Sequence, residues 1–197
     1  MKYTTSAFAL LAFTFAPTLA HAHPGHTGHE VGGIGWGLLH PFTGLDHLLA
    51  MVAVGLWAVQ LGGRALWLLP TAFVGTMCLG GALGMSGVAL PMMEPMILAS
   101  VLALGALIAF AVRLPLAASV AVVAASAFVH GQAHGIEMPA NGSGVFTAAG
   151  FVLATAVLHG AGVLGGLGLQ RLAQSRALRF AGAAIFAAAV LMGAGVL

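Results

Sequence analysis

Two short polar stretches interrupt an otherwise apolar chain, and both contain residue types that bind metal ions. The stretches are HPFTGLDH, which begins at residue 40, and HGQAHGIE, which begins at residue 130. Their histidine and acidic side chains are His40, Asp46, His47, His130, His134 and Glu137. Imidazole and carboxylate ligands without a thiolate suit nickel, cobalt, zinc or copper(II), and they disfavour copper(I) and iron–sulfur chemistry. The two stretches are therefore candidate ligand sets for a divalent transition metal.

The spacing in HGQAHGIE places its ligands on one face of a helix. At ~100° per residue, His134 lies ~40° from His130, and Glu137 lies ~20° the other way. Histidines at i and i+4 are a spacing by which one helix offers two imidazoles to a metal. Glu137 lies ~10.5 Å along the axis from His130, too far to share its ion on a regular helix. Glu137 is then either a ligand on a bent helix or a group that receives ions at the outer mouth.

The spacing in HPFTGLDH predicts a similar face. His40 and His47 are seven residues apart and fall on nearly the same side of a regular helix, with Asp46 ~100° around from His47. Pro41 removes a backbone donor and leaves the Gly37 carbonyl without its helical partner, so this segment is either tilted or broken. At membrane depth such backbone is tolerated only where it packs in protein or lines a wet cavity. Ionisable residues inside a span cost ~3 kcal/mol each on insertion scales and mark functional sites.

The rest of the chain is too apolar for a soluble protein. Of its 197 residues, 60% are hydrophobic and 5% are charged, and the mean hydropathy is +1.07. A soluble domain carries about 25% charged residues. The net charge is +2 and the chain has six basic residues, which are too few to indicate a nucleic-acid-binding surface. The absence of a P-loop argues against ATP hydrolysis, and the single cysteine excludes an internal disulfide or a cysteine-based zinc site.

The N-terminus predicts a signal peptide at residues 1–22. Lys2 forms a short positive region, AFALLAFTFA forms an apolar region, and an A-x-A cleavage motif ends at Ala22. Cleavage there leaves residues 23–32 as a histidine-rich periplasmic leader. Its histidines, which either collect metal from dilute solution or bind nothing, are His23, His26 and His29. The alternative is an uncleaved anchor, although the apolar run is short for a span of ~20 residues.

Residues 33–197 predict a polytopic all-α transmembrane bundle with six spans. Six apolar segments, separated by Gly, Pro or Arg, each approach the ~20 residues that a hydrocarbon core of ~30 Å requires of a helix. The segments are roughly 33–60, 65–84, 91–112, 114–137, 145–169 and 180–196. Small-xxx-small glycine pairs, Gly80/Gly84 and Gly162/Gly166, predict close packing between helices.

The arginines predict the orientation of the bundle. They lie between the first and second, third and fourth, and fifth and sixth segments: Arg64, Arg113, Arg171, Arg176 and Arg179. The connections MSGVAL and MPANGS contain no basic residue. By the positive-inside rule the arginine-bearing connections are cytoplasmic, which makes both mature termini periplasmic. The two polar stretches then lie in the outer half of the bilayer, where separate helices can bring them together.

Two further ionisable groups have less defined roles. For His159, alone in VLHGAG, helix packing and a place in a metal pathway both remain open. Glu94, at the outer edge of the third segment, is more typical of an interfacial residue than of a ligand.

These features resemble the HupE/UreJ family of small bacterial nickel, and sometimes cobalt, permeases that accompany hydrogenase and urease genes. The similarity rests on HPFTGLDHLLAMVAVGLWA and HGQAHGIE behind a signal peptide ending in AHAHPGH, and it covers essentially the whole mature chain. In that family the motifs H-x5-D-H and F-H-G-x-A-H-G-x-E are implicated in metal transport. Val129 precedes His130 here and Phe128 stands one place earlier, which displaces the leading aromatic. The larger nickel/cobalt permease family uses H-x4-D-H and fits less well.

The resemblance implies uptake of nickel, or alternatively cobalt, across the bacterial inner membrane, with the ion as cargo and no resident cofactor. The expected partners are the divalent metal ion and the lipid bilayer, with no nucleic acid, and the sequence does not indicate any oligomeric partner. Because protons compete with metals for imidazole, uptake is expected to fall below about pH 6, near the ordinary histidine pKa.

Two other functions compete with transport. An intramembrane zinc metalloenzyme would use Glu137 as general base, but H-E-x-x-H is absent and the sequence shows no nucleophile beside the cluster. A haem-binding subunit would use axial histidines, and the carboxylates argue against it. No enzymatic activity is therefore expected.

Overall fold

The structure, a computed structural model, describes residues 32–140 and 143–197, apart from the side chains of residues 172–175. The predicted signal peptide and the histidines of the predicted leader lie outside the described residues, so both stay predictions. All regular elements in the described chain are helical, which confirms the all-α prediction for this part of the protein.

Six α-helices and one 3-10 turn follow one another along the described chain. The helices are α1 (Ile34–Leu39), α2 (Leu45–Leu61), α3 (Ala65–Met85), α4 (Met93–Ala109), α5 (Leu116–Ile136) and α6 (Gly144–Gly193). The 3-10 turn, His40–Phe42, lies between α1 and α2. HPFTGLDH therefore spans the junction of α1 and α2, and HGQAHGIE ends α5.

Several of these helices fit a multi-pass membrane protein. Within the described residues, four segments are long and apolar enough to cross a bilayer: Ala65–Met85, Leu116–Ile136, Gly144–Arg171 and Arg176–Gly193. The residues of α1 and α2, which bend by 84° at their junction, form a fifth if the pair is one broken span. The apolar helix α4 is shorter, with 17 residues. The number of six spans therefore stays a prediction.

Glycines bring α3 and α5 into backbone contact. A Cβ atom at Gly131 would overlap the carbonyl oxygen of Met77, and one at Gly135 would overlap the carbonyl oxygen of Gly81. The contacts advance by four residues on both helices, so α3 and α5 run parallel. Small residues at such positions permit close van der Waals packing in membranes. This contact positions α5, and with it HGQAHGIE, against α3.

The first half of α6 packs parallel to α2 through another glycine contact. A Cβ atom at Gly162 would overlap the Val52 carbonyl oxygen. Further along both helices, Gln170 Nε2 donates a hydrogen bond to the Val59 carbonyl at 3.2 Å. The predicted packing role of the pair that contains Gly162 is therefore confirmed.

The second half of α6 packs antiparallel to α4. Arg179 Nε donates to the carbonyl of Ala109, the last residue of α4, at 3.0 Å. At the opposite end of the contact, Gly193 lies against the side chain of Leu98. The two halves of α6 thus pack as distinct segments, each against its own partner helix.

The arginine-bearing connections gather at one end of the bundle. Gln60, four residues before Arg64, donates to a carbonyl in the last turn of α4 at 3.0 Å, and Arg179 bonds to Ala109 at the end of the same helix. Glu137 lies at the other end of α5 from the arginine-bearing connections. This separation of charge is the arrangement that a positive-inside orientation requires.

Candidate metal centre

The segment HPFTGLDH does not form a continuous helix. Pro41 is buried in the 3-10 turn, and Gly44 has an extended backbone (φ −95°, ψ 116°) before α2 begins. Of the two geometries left open by the sequence, the structure has the broken one. The shared helical face predicted for His40 and His47 is therefore wrong, because no regular helix joins them. They still converge, since both rings contact His134 of α5.

Asp46 holds the ring of His47 in one orientation. Its Oδ1 accepts hydrogen bonds from His47 Nδ1 at 2.8 Å and from the His47 backbone N–H at 2.7 Å. Because Nδ1 donates, the lone pair of the neutral ring lies on Nε2. This nitrogen is buried and has no hydrogen-bond partner among the described residues. A carboxylate that fixes the tautomer in this way is a common support for metal-binding histidines.

A serine of α4 fixes His130 in the same manner. Ser100 Oγ lies 2.9 Å from His130 Nε2 and donates its own proton to the Ile97 carbonyl at 2.7 Å. The hydroxyl therefore accepts from Nε2–H, which leaves the lone pair of His130 on Nδ1. That atom is also buried without a partner in the described chain. The ring centroids of His130 and His47 are 4.8 Å apart, and we call these two residues the inner pair.

His40, His134 and Glu137 form a second group, here called the outer trio. His40 Nε2 lies 2.9 Å from Glu137 Oε2. One ligand atom from each residue lies within 4.8 Å of the others, and no other group of three is this close among the described residues. His134 is buried, whereas His40 and Glu137 are partly exposed. The trio is therefore open on one side and buried on the other.

Aromatic rings hold the imidazoles of the outer trio. Trp36 of α1 stacks on His40 with 4.4 Å between ring centroids. Phe151 of α6 stacks on His134 at 4.2 Å. These rings restrict the rotation of both imidazoles and cover them with apolar surface.

His134 connects the outer trio to the inner pair. Its ring centroid lies 5.5 Å from that of His40 and 4.6 Å from that of His47. The two polar stretches thus meet in space as their positions on the predicted spans suggested. The structure places Glu137 beside His40, at the outer side of the cluster, and not beside His130.

The charge of the cluster favours a cation. Two carboxylates, those of Asp46 and Glu137, lie beside four imidazoles, and their side chains are 24% and 43% exposed. No arginine of the described chain forms an ion pair with either carboxylate, since the arginines lie in connections at the other end of the helices. Opposite charges attract more strongly in a medium of low dielectric constant than in water. A dication is therefore attracted to this end of the bundle.

The other ionisable residues that the sequence analysis singled out lie outside the cluster or outside the described residues. His159 is buried in the first half of α6, with its ring beside Phe73. Glu94 is exposed in the first turn of α4, in agreement with an interfacial position. His23, His26 and His29 lie outside the described residues.

The sequence interpretation did not find several residues that support the cluster. Ser100 is one, although a hydroxyl within an apolar segment is a signal that could have identified it. Gln132 is another: its Nε2 donates to the Val88 carbonyl at 2.9 Å, and its Oε1 accepts from the Leu90 N–H at 3.0 Å. This side chain ties the connection between α3 and α4 to α5. Trp36 and Phe151 gave no sequence signal, because aromatic residues are ordinary in apolar segments.

Comparison with known proteins identifies the family of the chain. The family model described as "HupE / UreJ protein" matches residues 11–192. The chain belongs to the HupE/UreJ family. Protein HupE of Rhizobium leguminosarum bv. viciae is 45% identical over 197 residues, which are 100% of this chain and 99% of that protein. No solved structure matches the chain. The resemblance inferred from the motifs is thus confirmed, and in this HupE/UreJ protein both motifs contribute to one cluster.

Proposed function

We propose that this HupE/UreJ protein carries a divalent transition metal ion, nickel or alternatively cobalt, inward across the bacterial inner membrane. The observation that carries the proposal is the convergence of the two motifs. His134 of α5 contacts both His40 and His47, which lie on either side of the break between α1 and α2. Family membership supports nickel or cobalt as the cargo, since the ligand types alone also suit zinc and copper(II).

In this proposal the ion first binds the partly exposed outer trio. Glu137 supplies negative charge while the ion exchanges water for imidazole nitrogen. The aromatic rings stacked on His40 and His134 hold both imidazoles in place for the ion. The periplasmic leader, with its three histidines, would supply ions to this entrance.

The ion then passes by way of His134 to the inner pair. Two buried nitrogen atoms, His47 Nε2 and His130 Nδ1, each bind it through a free lone pair. Asp46 offsets part of the charge of the dication and keeps His47 in the binding tautomer. Neutral imidazoles add no net charge, so binding stays weak enough for release, as conduction requires.

We propose the orientation that the arginines indicate, with six spans after removal of the signal peptide and both mature termini in the periplasm. The outer trio then faces the periplasm. The arginine-bearing end of the bundle faces the cytoplasm, where the ion leaves.

We assign no enzymatic step to the cluster. The structure does place a hydroxyl beside it, since Ser100 Oγ contacts His130, which the sequence interpretation had not found. That hydroxyl donates to the Ile97 carbonyl and is a hydrogen-bond acceptor toward His130. A serine nucleophile would instead donate its proton to the histidine base. The contact therefore suits a positioning role.

Uptake into proteoliposomes tests the proposal. We expect the purified protein to accumulate nickel or cobalt, with zinc competing less well, and we expect His47→Ala to lower the initial rate at least ~10-fold because a buried ligand is lost. Thr71→Ala is a control, since its exposed hydroxyl bonds only within α3. Full nickel and cobalt uptake by a correctly inserted His47→Ala variant would rule out the route through the inner pair. An optical spectrum of the purified protein tests the haem alternative.

A further inference from the structure

His159 is a buried imidazole that the route described so far does not use. Its exposed fraction is 2%, and neither ring nitrogen has a hydrogen-bond partner in the described part of the chain. A neutral imidazole carries one donor and one acceptor. Leaving both unpaired in the interior costs free energy, so a buried side chain of this kind calls for an explanation beyond packing.

The position of His159 continues the line of the inner pair. Phe151 of α6 stacks on His134, and His159 follows eight residues later, ~12 Å further along the helix axis. On α5, His130 lies four residues before His134, ~6 Å along its axis. The first half of α6 runs from the cluster toward the arginine-bearing end of the bundle. α5 runs in the opposite direction, so residues earlier in α5 lie nearer to that end. His159 therefore lies about one helical turn beyond His130, toward that end.

Phe73 of α3 connects the two positions. Its ring centroid lies 6.0 Å from that of His130 and 4.9 Å from that of His159. On α6, the buried residues Phe151, Thr155 and His159 follow at four-residue spacing and share one face. The side chains along this face thus lead from the outer trio, past the ring of Phe73, to His159.

We propose that His159 forms an inner metal site that accepts the ion from His47 and His130 before release. This inference rests on the proposed function. A single imidazole, with water or carbonyl oxygen as the other ligands, binds a divalent ion more weakly than the clustered imidazoles do. A weaker final site lets the ion leave the protein, because conduction requires that the last binding step be weak enough for release.

Transport kinetics in proteoliposomes test this role, with His159→Leu as the first variant. Leucine removes both unpaired nitrogens, so we expect the variant to insert and to be at least as stable as the parent protein. We expect the maximal rate for nickel or cobalt to fall at least ~10-fold, while KM stays within about two-fold because capture at the outer trio is intact. Binding of cobalt to the purified variant, followed by its optical spectrum, should persist.

A second variant separates metal binding from polar packing. His159→Gln keeps a polar side chain of similar length but loses the imidazole, and we expect it to be as slow as His159→Leu. Val163→Ala, one turn further along α6, is the control and should transport at the parent rate. If His159→Gln transports like the parent protein, the proposal that His159 binds the ion is wrong. If the parent protein moves neither nickel nor cobalt, the proposed function itself fails, and this inference fails with it.

Discussion

At the scale of single residues, hydrogen bonds to neighbours decide which nitrogens of the cluster can bind a metal. Asp46 occupies Nδ1 of His47, and Ser100 occupies Nε2 of His130. Each imidazole therefore has its lone pair on the opposite nitrogen, which is buried and has no partner among the described residues. Supports of this kind commonly change metal affinity or activity by about 10–100-fold when they are removed.

The first prediction concerns Ser100, a residue that does not itself bind the ion in the proposed route. We expect Ser100→Ala to lower uptake about 10-fold, because His130 loses the group that fixes its tautomer and ring orientation. Ser126→Ala is a matched control, since this buried hydroxyl bonds the Val122 carbonyl of its own helix at 3.0 Å. Initial rates of nickel uptake measure both. Equal rates in the two variants would show that Ser100 does not position His130.

At the scale of helices, the contact between α3 and α5 positions the histidines of α5. The glycines that permit this contact, Gly131 and Gly135, alternate with His130 and His134 along the same turns. One side of α5 thus presses on α3 while another presents imidazoles to α2. One alternative left open by the sequence is a bent helix on which Glu137 shares the ion of His130. The structure shows a helix that continues through both glycines, which it uses for packing.

The second prediction follows from this contact. A Cβ atom at Gly131 would overlap the Met77 carbonyl oxygen, so Gly131→Ala should move α5 away from α3, displace both histidines and lower stability by about 1–3 kcal/mol. We expect nickel uptake to be lost as well. Gly165→Ala is the control, because nothing lies within 4 Å of an added Cβ there. Thermal unfolding in detergent measures the stability of both variants, and proteoliposome uptake measures their transport. Equal stability and equal uptake of the two variants would contradict the packing argument.

At the scale of the whole molecule, charge is distributed along the axis of the bundle. The arginine-bearing connections lie at one end, and the carboxylates and histidines of the cluster lie toward the other. By the positive-inside rule, this separation supports the orientation proposed above, in which the open side of the outer trio faces the periplasm.

The third prediction tests that orientation by labelling single cysteines from outside. In a Cys78→Ala background, cysteines are placed at Ala140 and at Ala117, both exposed and at opposite ends of α5. A membrane-impermeant maleimide applied to spheroplasts should label Ala140→Cys and not Ala117→Cys. Lysed membranes, in which both should react, control for reactivity. The reverse pattern in intact spheroplasts would overturn the proposed direction.

The fourth prediction concerns pH. Metal binding requires a free imidazole lone pair, and protonation removes it. Uptake should therefore fall as the external pH is lowered, because protons compete with the metal ion for the imidazole nitrogens. Nickel uptake into proteoliposomes with a fixed internal pH measures this dependence. Uptake that does not depend on the external pH would contradict ligation by these histidines.

The amino-acid sequence by itself determined the class of protein, the ligand types and the family. Composition excludes a soluble fold, because so few charged residues cannot cover a water-facing surface. The motifs name the histidines and acids of the cluster, since ionisable groups are rare in apolar segments. Periodicity also placed Glu137 and His134 on one face of α5, and the two do meet in the outer trio.

Only the tertiary structure decided how these residues combine. The convergence of His40 and His47 depends on an 84° bend, and helical periodicity cannot describe a chain at a break. Ser100 and Phe151 reach the cluster from other helices, through contacts between residues far apart in the chain. Pairwise packing of helices depends on the shape of both surfaces at once. A single segment of sequence carries only one of those surfaces, and so the division into an outer trio and an inner pair appears only when the helices are assembled.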